Sequence, residues 1–167
     1  MQKIIAQTIS LPAAKFFSAV AVIIIIQLLF KNQIIVGSLV NAVLICSLYL
    51  FGLREAIGIA ILPSLFALLF GIIPPVLGPF VPFIIAGNII LIAIFYLFKN
   101  NYALGAALGP LVKFLFLFFS SSVIFSFIFG KGLPENVLAM MSYPQLITAI
   151  LGSVLAFMVL KYFKKYE

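Results

Sequence analysis

The chain has 167 residues, of which 66% are hydrophobic and only 8% are charged. A soluble domain carries about a quarter charged residues, so this composition excludes a soluble enzyme or binding module and indicates a membrane protein. The net charge is +7, but the ten basic residues are scattered between apolar blocks. This distribution argues against a nucleic-acid partner and favours a role in setting membrane orientation.

Six apolar blocks follow one another along the chain. A membrane-spanning helix needs about 17–25 mostly apolar residues, and suitable blocks cover residues 11–30, 34–51, 56–73, 82–98, a stretch within 104–129 and 144–163. The first block follows Lys3 and Lys15, as in a signal peptide, but no small-residue cleavage site comes after it. We therefore predict an all-α integral membrane bundle of six transmembrane helices, forming one domain over residues 1–167.

The positions of the basic residues predict the orientation of these helices. With both termini in the cytoplasm, two basic residues lie outside, Lys31 and Lys131, and seven lie inside. The inner set is Lys3, Lys15, Arg54, Lys99, Lys161, Lys164 and Lys165. This asymmetry follows the positive-inside rule. A five-span alternative would place the basic C-terminal tail outside, so we expect six spans with N-in/C-in topology.

An uncharged segment with four prolines, residues 72–82, precedes the fourth block. Adjacent prolines disfavour helix and remove backbone donors. The segment is therefore predicted to form a stiff, extended strip on the outer face.

The sequence offers little chemistry for catalysis. It contains no His, no Asp, three Glu and one cysteine, Cys46. No catalytic set, phosphate loop or metal-ligand cluster can be assembled from these residues. We therefore predict a protein that is not an enzyme and has neither a cofactor nor a metal site.

Four polar residues within the apolar blocks are the candidate binding residues: Gln27, Asn41, Asn88 and Lys113. A charge at membrane depth is costly and indicates a functional site. If its helix starts near Tyr102, Lys113 lies about 16 Å along it; if the helix starts at Pro110, the ammonium could reach the inner face. For Gln27 and Asn41, hydrogen bonds between helices are the favoured interpretation.

Small residues recur every four positions on the first helix, at Ser10, Ala14 and Ser18. Such a face permits close approach of another helix. It could serve packing within the bundle or docking of a second membrane protein. Gly105 and Gly109 form a similar pair on the fifth helix.

The chain resembles the substrate-binding S component of energy-coupling factor (ECF) transporters. The resemblance lies in the size, the six helices, residues 52–58 at the start of the third helix, the proline-rich outer loop and the Gly87-Asn88 step. In that family, an alanine pair four residues apart on the first helix docks the coupling subunit. The matching pattern here is Ser10, Ala14 and Ser18, with serines where alanines are usual.

The resemblance implies a multi-pass protein of the bacterial cell (plasma) membrane that captures a micronutrient or vitamin near the outer face. Its partners would be a transmembrane coupling subunit and ATPase subunits. Asn88 and Lys113 would be the main polar groups of the pocket, with Lys113 attracting a carboxylate or phosphate. The alternative is a structural membrane protein similar to the cell-shape subunit MreD. An ion-coupled carrier acting alone is disfavoured, since such carriers usually relay protons through buried acids.

Overall fold

A computed structural model describes residues 2–72, 75–124 and 142–164. These residues form six α-helices and no strand. The helices are α1 (Gln2–Leu29), α2 (Gln33–Phe51), α3 (Leu53–Leu69), α4 (Val81–Leu97), α5 (Tyr102–Phe119) and α6 (Tyr143–Lys164). The all-α prediction is confirmed, and each helix overlaps one predicted apolar block.

Four helical segments are long and apolar enough to cross a membrane: Gln33–Phe51, Gly78–Leu97, Tyr102–Ser122 and Tyr143–Phe163. The apolar part of α1, Ala13–Leu29, is shorter. Helix α3 has 17 residues, which is at the lower limit for a span. The chain is therefore a helical membrane protein with at least four candidate spans among the described residues.

Helix α2 is the centre of the bundle, because it packs against α1, α3, α4 and α6. The remaining neighbours are α3 with α4, α4 with α5, α5 with α6, and α1 with α3. Side chains of Leu44, Ile45, Ile59, Leu91 and Phe95 are fully buried between these helices. The apolar side chains that face outward from α1, α4, α5 and α6 are exposed, as expected for a surface that contacts lipid.

Local signals fix the helix ends. The side chain of Asn32 accepts hydrogen bonds from the backbone of Ile34 and Ile35 at the start of α2, so it is an N-cap. Helix α3 ends in a Schellman motif, in which Gly71 has φ +66° and the amide of Ile72 bonds the Ala67 carbonyl at 2.9 Å. Only glycine adopts this conformation without strain, which explains why the helix stops before the predicted limit at residue 73.

The prediction of an extended strip before the fourth helix is wrong for its described part. Residues Pro75–Phe80 form a 3-10 helix that leads directly into α4. Proline fixes φ near −65°, which suits a 3-10 turn. The missing N–H of Pro75 is not needed, because this residue begins the turn, whereas Pro79 lies inside it. The proline pattern therefore marked a short helical turn and the entry to α4.

Glycines allow two pairs of helices to approach closely. A Cβ atom at Gly152 of α6 would lie 2.6 Å from Asn41 Cβ and 2.8 Å from the Ser38 carbonyl oxygen of α2. Gly105 and Gly109 of α5 pack against Phe95 of α4. Gly105 and Gly109, predicted as a contact face, therefore pack within the bundle.

Candidate functional site

Lys113 lies inside the bundle and not at either end of it. Helix α5 begins at Tyr102, which places Lys113 about 16 Å along the helix axis. The residue is 2% exposed, and its Nζ donates hydrogen bonds of 2.7 Å to Asn41 Oδ1 and 2.7 Å to Asn88 Oδ1. The structure brings Lys113 and Asn88 together, and Asn41 joins them to form a three-residue cluster.

The cluster lies in the half of the bundle where α2, α4 and α6 begin, hereafter the cavity end. Asn41 is eight residues into α2 and Asn88 is seven residues into α4, or about 12 Å and 10 Å below the starts of these helices. Gly87 allows α4 to approach α5 closely, because a Cβ there would lie 3.2 Å from Leu117 of α5. The Gly87-Asn88 step thus combines close helix packing with a buried amide.

The two asparagine amides have different surroundings. Asn41 Nδ2 donates a long hydrogen bond of 3.5 Å to Thr148 Oγ1, and Thr148 Oγ1 donates to the Gln145 carbonyl at 3.1 Å. The amide of Asn41 is therefore engaged at both its oxygen and its nitrogen. No hydrogen bond joins Asn88 Nδ2 to a described residue. This nitrogen is not fully buried.

The positive charge of Lys113 has no acidic partner in the part of the chain that the structure describes. Glu55 is the only acidic residue in that part, and it lies in the first turn of α3. The turn between α2 and α3, at Gly52, is 11 residues from Asn41 along the chain, about 16 Å along the helix axis. Among the described residues, the hydrogen-bond partners of the ammonium are therefore two amide oxygens.

A cavity of about 570 Å³ reaches the cluster from the cavity end. Asn41, Asn88 and Lys113 line its floor, and Lys31, Gln33 and Gln145 line it near the starts of α2 and α6. Its walls are mostly apolar and include Val36, Val40, Pro63, Ala67 and Ile84. A mostly apolar cleft of this size with a few convergent polar groups has the properties of a small-molecule site.

Gln27 lines the same cavity from α1 but makes no direct hydrogen bond to the cluster. Its Nε2 donates to the Pro63 carbonyl at 3.3 Å, which joins α1 to α3. Its Oε1 is buried and has no hydrogen-bond partner among the described residues. Gln27 therefore makes a hydrogen bond between helices, as the sequence predicted. It also lines the wall of the cavity.

The candidate docking residues lie away from the cavity. Ala14 and Ser18 are exposed on α1, on the side opposite the buried Ala19 and Ile23. The side chain of Ser10 is outside the described residues. The small residues of α1 thus include an outward-facing pair that is not used for packing within the described bundle.

Sequence reasoning missed Thr148 and Lys31. Thr148 is buried against Gly37, whose added Cβ would lie 2.8 Å from the threonine methyl carbon. No pattern along the chain pairs a threonine of the last helix with Asn41, 107 residues earlier. Lys31 was interpreted only as a topology signal, although it also lines the cavity.

Comparisons with known proteins found no matching family model, no matching curated protein and no matching solved structure.

Proposed function

We propose that this chain is the substrate-capture membrane subunit of an ECF-type micronutrient or vitamin uptake transporter and binds a small anionic molecule. The observation that carries the proposal is the buried Lys113 ammonium at the floor of an apolar cavity of about 570 Å³. In the described chain, its partners are two neutral amides and no carboxylate. A bound anion would supply the missing opposite charge.

The burial cost of Lys113 can be compared with the hydrogen bonds that it makes. A lysine at the centre of a membrane helix costs about 2.5–3.5 kcal/mol on insertion scales. Hydrogen bonds to a charged group contribute about 1.5–3 kcal/mol each, so the two amide bonds offset a cost of this size. What favours a ligand is the third N–H donor of the ammonium, which no described residue uses, in a residue that lines the cavity.

The proposed orientation places the cavity end at the outer face. Six spans with both termini inside put Lys31 outside and Arg54, Lys99 and Lys161 inside, as the positive-inside rule favours. The cavity would then open towards the substrate supply. Energy would come from ATPase subunits on other chains, coupled through a transmembrane subunit.

The alternative is a structural membrane protein similar to MreD. The observation in its favour is that Asn41, Asn88, Lys113 and Thr148 join α2, α4, α5 and α6 by hydrogen bonds. Such a network could stabilise the bundle without any ligand. In that case the cavity would hold lipid or detergent and no specific solute.

The test is to purify the full chain in detergent and identify small molecules that co-purify, by mass spectrometry of the denatured sample. The proposal predicts one anionic compound at near-stoichiometric amounts, which Lys113→Met loses and Lys99→Met retains. If the wild type and both variants co-purify with lipid and detergent only, substrate capture is rejected and the structural alternative is favoured.

A further inference from the structure

The two asparagines of the cluster differ in what they can offer a ligand. Asn41 is engaged at both ends of its amide, with Oδ1 accepting from Lys113 and Nδ2 donating to Thr148. In Asn88, only Oδ1 makes a hydrogen bond to a described residue, which is Lys113. Because Oδ1 of Asn88 accepts from Lys113, its Nδ2 carries two N–H donors beside the ammonium, in a residue that lines the cavity.

Lys113 also retains donor capacity. An ammonium group has three N–H donors, and hydrogen bonds to described residues use two of them. The floor of the cavity therefore presents one N–H of Lys113 next to the amide N–H groups of Asn88. These donors belong to adjacent side chains, since Lys113 Nζ and Asn88 Oδ1 are 2.7 Å apart.

We propose that the cavity floor is a carboxylate site, in which one carboxylate oxygen accepts from Lys113 Nζ and the other accepts from Asn88 Nδ2. This inference rests on the proposed function and names the chemical class of its ligand. Asn41 and Thr148 are positioning residues: Thr148 holds the Asn41 amide so that its oxygen faces Lys113. The body of the ligand lies against the apolar wall formed by Val36, Val40, Pro63, Ala67 and Ile84.

Charge favours a carboxylate over a phosphate monoester. A carboxylate carries one negative charge, which the single ammonium at the cavity floor balances. A phosphate monoester carries about −1.5 to −2 at neutral pH and three strong acceptor oxygens. The second cation of the described lining, Lys31, is exposed in the turn before α2, beyond the helix start, which itself lies about 12 Å above the level of Asn41. Part of a phosphate's charge would therefore stay uncompensated in an apolar cavity, which is costly.

The experiment compares three probes with the same apolar body: 4-phenylbutanoate, 4-phenylbutanamide and 4-phenylbutyl phosphate. Dissociation constants are measured by calorimetry on the full chain in detergent. We expect the carboxylate to bind at least about tenfold more tightly than the amide and the phosphate, the amount that one good hydrogen bond or charge contact provides. Asn88→Leu should weaken carboxylate binding by about tenfold and bring it close to the amide.

Asn100→Leu is the matched control, because it makes the same substitution at an exposed position in the turn after α4, outside the cavity lining. It should change carboxylate affinity by much less than Asn88→Leu does, because Asn100 lies away from the cavity floor. Equal binding of phosphate and carboxylate, or an Asn88→Leu variant with wild-type affinity, would overturn the carboxylate site while leaving anion capture intact. If no anionic probe binds the wild-type chain, the proposed function fails together with this inference.

Discussion

Nζ of Lys113 lies 2.7 Å from Oδ1 of Asn88, although the two residues are 25 positions apart and belong to different helices. The same ammonium bonds Asn41 on a third helix. A single cation thus holds together α2, α4 and α5 at the floor of the cavity. The contribution of these contacts to folding and to binding can be separated by substitution.

Lys113→Met removes the charge and keeps the length of the side chain. We expect the affinity for 4-phenylbutanoate to fall about ten- to a hundredfold, the effect of losing a charge-assisted hydrogen bond. The chain should still fold, with a loss of about 1–3 kcal/mol for the buried amide oxygens left without a donor. Binding is measured by calorimetry and stability by thermal unfolding in detergent. The control is Lys99→Met, since Lys99 is exposed beside the Tyr96 ring; equal losses in both variants would contradict the prediction.

Replacing the whole cluster should separate stability from binding. A triple variant with Lys113→Met, Asn41→Leu and Asn88→Leu leaves no unpaired amide oxygen from the cluster. Apolar replacement of a buried polar network is often neutral or stabilising by about 1–4 kcal/mol. We therefore expect the triple variant to unfold at a higher temperature than Lys113→Met alone and to bind no carboxylate probe. A triple variant less stable than the single one would mean that the asparagines stabilise the bundle through other contacts.

The sequence predicted the helices well, because local signals bound several of the apolar blocks. Asn32 and Asn101 cap the starts of α2 and α5, and Gly71 ends α3. The segment with Pro75 and Pro79 was misjudged, because proline geometry fits a 3-10 turn as well as an extended chain.

The candidate site was predictable only in part. The cost of a buried charge singled out Lys113, and the Gly87-Asn88 step singled out Asn88. Their contact with Asn41 depends on the packing of α2 against its neighbours, which no local pattern encodes. Thr148 was not predicted for the same reason. Threonine in an apolar helix is common, and the role of Thr148 depends on its contact with Asn41 of another helix.

The close approach of α2 and α6 gives a prediction for Gly152. An added Cβ there would lie 2.6 Å from Asn41 Cβ, so Gly152→Ala must push the helices apart and displace Asn41. We expect a loss of about 1–3 kcal/mol, as for overpacked cores, together with weaker probe binding. The control is Gly78→Ala, whose added Cβ would meet Leu68 at an ordinary 3.6 Å. The outcome that contradicts the packing argument is a Gly152→Ala chain with the thermal stability of the control.

The orientation can be tested by labelling single cysteines in a Cys46→Ala background. Lys31 and Lys99 are exposed and lie in turns at opposite ends of the bundle, before α2 and after α4. With both termini inside, an impermeant maleimide added to intact cells should label Lys31→Cys and leave Lys99→Cys unlabelled until the membrane is opened. The reverse pattern would invert the bundle and place the cavity on the cytoplasmic side.

The outward-facing small residues of α1 provide the last prediction, which concerns the partner subunit. Ala14 and Ser18 are exposed, and close helix contact needs small side chains. Under the proposed function, this face docks the transmembrane coupling subunit, and Ala14→Phe would hold the two helices apart. We expect co-purification with the coupling subunit to be lost while thermal unfolding and binding of 4-phenylbutanoate stay as in the wild type. The matched control is Val154→Phe, which adds the same aromatic ring at an exposed position of α6 and should leave the complex intact. If Ala14→Phe still assembles, the partner uses another surface, whereas a loss of thermal stability would show that this face packs within the bundle.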